Sequence, residues 1–113
     1  HLTGPAAEHT VDRLLRTIPI VVGKRAATPE GGAVVLDIAG DVTRHVVCEV
    51  TGGRAAVVAA PTSEPLATIT LDVEAFVVLA TGRCTAASIA DRIELTGDQA
   101  LGQRVVDNLN MMI

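Results

Sequence analysis

With 113 residues, 49% of them hydrophobic, the chain is long enough for one domain, burying about 65% of the surface its unfolded form would expose. Nine Lys and Arg against 13 Asp and Glu leave a formal net charge of −4, which excludes the basic field that a nucleic-acid partner needs. Only Phe76 is aromatic, so the core has to be packed from Val, Leu, Ile and Ala, and no platform exists for stacking bases or sugars.

In chain order, "GPAAEHTVDRLLRTIPIVVGKR" places Val11, Leu14, Leu15, Ile18 and Val22 at steps of three and four, the spacing of one helix face. Pro5 suits a first helical turn. Pro19 removes a backbone bond and crowds the carbonyl four residues earlier, so the spacing predicts a kink, or a break followed by a short second helix to Gly23. "AATPEGG" is a loop by its Pro and Gly content. A boundary is expected here: residues 1–32 form an N-terminal helix and connection, and residues 33–113 form an α+β domain.

From Ala33 the period becomes two. Val34, Leu36 and Ile38 share one strand face, and "AGD" turns the chain. In "VTRHVVCEV", Val42, Arg44, Val46, Cys48 and Val50 share a face, while Thr43, His45, Val47 and Glu49 take the other, so a sheet with one dry side is expected. Arg44 then stands on an otherwise apolar face, where an unpaired charge would be costly. Either it snorkels at a sheet edge, or it points into a cavity and meets an acidic group.

"TGG" makes the next turn, and "RAAVVAA" reads as a strand whose alternation is too weak to orient. After "PTSEP", the stretch "LATITL" directs Ala67, Ile69 and Leu71 inward with Thr68 and Thr70 outward. Asp72 is placed to cap the helix "VEAFVVLATGR", and Gly82 to stop it. "TAASIADRI" reads as a short helix and "IELTG" as a last strand. Asp98 caps a closing helix that turns Leu101, Val105, Leu109 and Met112 to the core and Gln99, Gln103 and Asp107 to solvent. Hairpin-length connections predict a mainly antiparallel sheet with the helices gathered on one face.

No complete catalytic or metal site can be read from these residues. His1, His9 and His45 lack metal-ligand spacing, and a zinc site needs three or four converging donors. Cys48 on a dry strand face reads as a small hydrophobe. Cys84 stands beside the cation Arg83, a setting that favours thiolate, but no base accompanies it in sequence. Both cysteines read as reduced thiols, which predicts a cytoplasmic setting. No apolar run approaches the roughly 20 residues of a membrane span, and no charged and then apolar leader opens the chain.

The stretch "ATITLDVEAFVVLATGRCTAASIADRIELTGDQALGQRVVDNL" resembles the sterol carrier protein 2 family. The likeness is closest to the C-terminal domain of mycothiol-dependent maleylpyruvate isomerase and its actinobacterial relatives. By element order it covers Ala33 to Ile113, and "LDVEAF", "TGR" and "LTGD" carry it. The resemblance implies an α+β domain: a mainly antiparallel five-stranded sheet with helices packed on one face.

It also implies an accessory role in a mycothiol-dependent, metal-binding enzyme. Such a parent carries an N-terminal helical bundle of the DinB type with a His/Glu/His divalent-metal site. The start at His1 without a methionine reads as a fragment of such a protein, so mycothiol and metal belong to the parent and neither cofactor to this fragment, which is not expected to catalyse alone. Arg83 matches the family's Gly-Arg and is the candidate catalytic arginine, holding a carboxylate substrate or the thiol cofactor in bidentate fashion. Arg92 competes for that role, and Arg44 is a candidate ligand contact if it faces a cavity. The alternative is a free-standing lipid or sterol carrier with an apolar ligand. A structural domain that dimerises through an exposed apolar strand edge is a third reading.

Overall fold

The computed structural model describes residues 4–40, 43–60, 64–80 and 87–109. His1, Val42, Gly82, Arg83, Cys84 and Met112, which carry expectations above, lie outside them. Helix α1 (Gly4–Leu15) ends in a turn at residues 16–17, where Thr17 Oγ1 donates to the Leu14 carbonyl at 2.9 Å. Helix α2 (Ile18–Ile20) then starts with Pro19 in its first turn, so the break falls just ahead of the proline, where its missing N–H is not needed. The helix runs past Gly23 as a π-helical turn, Val21–Arg25, closed by the Ala26 amide on the Val21 carbonyl at 2.8 Å.

Five strands follow: β1 (Ala33–Ala39), β2 (Arg44–Thr51), β3 (Arg54–Val58), β4 (Ala67–Asp72) and, after helix α3 (Val73–Ala80) and a 3₁₀ segment (Ala87–Arg92), β5 (Ile93–Gly97). Helix α4 (Gln99–Asp107) closes the fold. The sheet order is β3-β2-β1-β4-β5, with β1 and β4 parallel and the other pairs antiparallel. The sheet is mainly antiparallel as expected, but β4 does not continue a meander beside β3. Its inward residues Ala67, Ile69 and Leu71 form an apolar stripe no more than 3% exposed, which needs a central place under the helices. The side chains of β3 are small and mostly exposed, and they fit an edge.

One core takes in all the helices and the inner sheet face. Phe76 of α3, Ile38 and Ile69 of the sheet, Leu101 of α4 and Val11 and Val22 of the N-terminal helices are all fully buried within it. Cys48 belongs to it too, and burial pushes its thiol up to about 11, so it packs as a hydrophobe. The expectation of a single dry face needs correction. On the opposite face Ala33, Val35 and Val47 form a second buried cluster with Val58 against it, and Glu49 is only 6% exposed. The reason is β1's central position: its unbroken "AVVL" run sends apolar residues to both faces, and Glu49 sits between the small side chains of Ala33 and Ala56.

Candidate functional site

Asp72 ends β4 and caps α3: its Oδ1 accepts the Ala75 amide at 2.7 Å. The same carboxylate holds Arg92 at the end of the 3₁₀ segment, with Nη2 at 2.8 Å from Oδ1 and 3.0 Å from Oδ2 and Nε at 3.3 Å from Oδ2. One acid thus fixes a helix start and pins a neighbouring segment 20 residues away in sequence. Burial works to raise the Asp72 carboxyl, but the Ala75 amide and the Arg92 guanidinium outweigh it and hold the group below the usual carboxylate value.

The pair borders an open cleft of about 480 Å³ whose lining includes Gly40, Thr70, Asp72, Asp91, Arg92 and Glu94. Three of these side chains are carboxylates and one is a guanidinium, so the cleft's field is acidic around a cation already held by Asp72. Arg44 stands at the start of β2, where that strand runs beyond β3. Its Nε lies 2.7 Å from Asp12 Oδ1 and its Nη2 3.1 Å from Oδ2, a bidentate pair with α1 that leaves the arginine side chain 28% exposed. The structure gives Arg44 the acidic partner of the second alternative, but as a surface pair with α1, its Asp12 side chain 51% exposed. The hydrogen bond from Arg44 is the main cause of the lowered Asp12 carboxyl.

Arg44 and Arg92 therefore share one end of the sheet. Arg44 lies opposite Ile38 on β1, and Ile38 and Ala39 lie opposite Leu71 and Asp72 on β4. That puts the two arginine anchors two strands apart, roughly 10 Å by strand spacing. Each is claimed by its own carboxylate. His45 is exposed as expected, but it is paired: its Nδ1 meets Asp37 Oδ1 across the β1–β2 ladder. The signal for that pair was in the sequence, since Asp37 and His45 stand at mirrored distances from the turn after Ala39. A second cleft, about 320 Å³, lies between α2 and β3 and is lined by Pro19, Ile20, Gly23, Lys24, Gly53, Arg54 and Ala55. Neither Lys24 nor Arg54 stands out in the sequence, because isolated surface cations carry no spacing signal.

Replacing Asp72 with Ala should lower stability by about 0.5–2 kcal/mol at pH 7, the range for a lost N-cap. Because the folded carboxyl lies below its ordinary value of 3.8, this stability is present above that pH and fades as pH falls below it. Urea midpoints of wild type and variant should converge on going from pH 7 to pH 3. A gap that stays constant would remove the carboxylate from the explanation.

A five-stranded α+β sheet with helices over one face is the architecture of the sterol carrier proteins. The chain matches the crystal structure of Sterol Carrier Protein 2 Like 2 from Aedes aegypti at 19% identity, over 88% of this chain and 96% of that one, with a TM-score of 0.61. It matches the solution structure of palmitated SCP2L2 from the same organism at 18% identity, over 88% and 93%, with a TM-score of 0.63. The UbiJ-SCP2 ubiquinone synthesis protein matches at 14% identity over 99% and 84%, with a TM-score of 0.53. No curated protein matches the chain. Within this class the chain belongs to the MDMPI C-terminal domain family, whose profile matches residues 7–104 and so takes in α1 as well as the sheet. Membership makes it an accessory domain of the C-terminal kind.

Proposed function

We propose that this domain completes the substrate or thiol site of a mycothiol-dependent, metal-binding enzyme whose chemistry resides on a DinB-type helical bundle. The family match over residues 7–104 carries the reading. In it, Arg83 supplies the guanidinium that holds a carboxylate substrate or the thiol cofactor, because a planar fork fixes a carboxylate at two points. Arg92, held by Asp72 at the edge of the acidic cleft, positions that end of the domain. Among the described residues no three His, Cys, Asp or Glu side chains are grouped to hold a metal, so no metal step is assigned to them. No helix among those residues is long and apolar enough to cross a membrane. The setting proposed is cytoplasmic.

The test is a thiol-dependent isomerisation assay on the full-length polypeptide that carries this domain, with mycothiol and a divalent metal supplied. Arg83→Ala should lower kcat/KM at least about 10-fold, roughly 1.4 kcal/mol of transition-state binding, with metal affinity unchanged. Full activity after deletion of the family-matched residues 7–104 would overturn the reading.

A second reading, a free-standing carrier of acyl or sterol ligands, draws on the fold match to a structure described as palmitated. It ranks lower because that match, at 18% identity, speaks for the fold, whereas the family profile matches residues 7–104. Native mass spectrometry separates the two, since a carrier leaves bacteria with lipid bound.

A further inference from the structure

We propose that the free edge of β3 and the cleft beside it bind an extended peptide of a partner protein by antiparallel strand addition. The peptide's C-terminal end, opposite Arg54, carries a carboxylate. Three observations converge on this edge.

The first is the main chain. Among the described residues β3 stands at the end of the sheet, and Gly52 and Gly53, with φ of +62° and +78°, close a two-residue hairpin to β2. In such a hairpin the flanking residues Thr51 and Arg54 form a hydrogen-bonded pair, so Ala56 and Val58 also bond to β2. Ala55 and Val57 then direct their N–H and C=O groups to the open side. Edges are normally blunted by inward charges, proline or a covering segment. The sequence Arg-Ala-Ala-Val-Val has a charge at its first residue alone.

The second is the apolar surface. Among the described residues, the exposed large hydrophobics are Ile20, 46% exposed, and Val57, 55% exposed. Both flank this edge. Val57 lies opposite Cys48, a core residue, so it points to the helix side of the sheet, where the π-helical turn brings Gly23 against Ala55 and Ile20 lines the same cleft. Ile20 lines the cleft and Val57 follows Ala55 on the same strand face, so alternate side chains of an added strand would lie along them.

The third is charge. In a chain of net charge −4, the charged residues lining this cleft are Lys24 and Arg54, and neither makes an ion pair among the described residues. The adjacent carboxylate, Glu30, is engaged by the amides of Gly52 at 2.6 Å and Gly53 at 2.8 Å. A strand running antiparallel to β3 brings its C-terminal end to Arg54, where an acidic side chain would meet the guanidinium as a cross-strand pair and a terminal carboxylate at the cleft would face Lys24. A second copy of this chain is the poorer occupant, because its own β3 offers Arg54 and no acid.

The experiment titrates ¹⁵N-labelled chain with the peptide acetyl-Val-Thr-Val-Thr-Val-Asp, free at its C-terminus, and with the same peptide ending in Asn-amide. The acidic peptide should shift the amides of Ala55, Val57 and Gly23 with micromolar affinity, and the neutral one should bind at least about 10-fold more weakly. Lys24→Ala with Arg54→Ala should abolish that preference. Val57→Pro removes an outward N–H and no bond to β2, and should abolish binding of both peptides. Val57→Asp, milder for the fold, should weaken the acidic peptide more than the neutral one. No shift at β3 up to millimolar peptide, equal binding of the two peptides, or self-association through β3 without peptide would each overturn the proposal.

Discussion

Phe76→Ala should cost about 3–5 kcal/mol, the range for truncating a fully buried Phe. Phe76 is 0% exposed and is the largest fully buried side chain of a core otherwise made of aliphatic residues and one cysteine. It stands on α3 between the capped start at Asp72 and the inner face of the sheet, so its ring is surrounded by elements fixed elsewhere. Those elements cannot collapse far into the void, and a poorly relaxing site places the cost toward the upper end. Net stability of such a domain is only about 5–15 kcal/mol, so the variant should lie near the limit of folding and melt roughly 10–20 °C lower. Far-UV circular dichroism in urea checks this, since the chain has no Trp or Tyr to report by fluorescence. A midpoint moved by less than a third of that expectation would show that Phe76 is not the packing centre of the core.

What could be read from the sequence, and what could not, separates along a physical line. Features set by neighbours in sequence were legible. The alternation of Ala67, Ile69 and Leu71 gave their face, and the positions of Asp72 and Asp98 gave two helix starts, with Asp98 accepting the Leu101 amide at 3.0 Å. Features set by pairing at a distance were not. Nothing within β4 records that its neighbour is β1, because its apolar stripe would fit beside any strand of the same period. The partners of the candidate arginines were hidden for the same reason: Asp12 lies 32 residues before Arg44, and Asp72 lies 20 before Arg92. Arg83, which the resemblance marks as the candidate arginine, lies outside the described residues, so its role is a proposal that the kinetic test decides.

Gly97→Ala should destabilise by about 2–5 kcal/mol, combining a left-handed backbone penalty of about 1–2 with an overpacking penalty of about 1–3. Gly97 has φ +80°, and a Cβ there would stand 2.4 Å from the Leu66 carbonyl oxygen and 3.3 Å from Ala67 Cα, both of them main chain that cannot rotate away. The same Leu66 carbonyl accepts the Asp98 amide at 2.7 Å, and Asp98 caps α4, whose Leu101 is fully buried. A methyl group at residue 97 therefore pushes on the bond that sets where the closing helix begins. This gives the "LTGD" stretch a structural reason: glycine permits the close approach, and aspartate starts the helix. Gly31 supplies the control, because it has the same φ of +80° but a Cβ there would meet nothing within 4 Å. Gly31→Ala should show the backbone penalty alone, about 1–2 kcal/mol. Hydrogen exchange should then report faster opening of α4 in Gly97→Ala and unchanged α4 protection in Gly31→Ala. Equal losses in the two variants would mean that the contact with Leu66 does not limit the position.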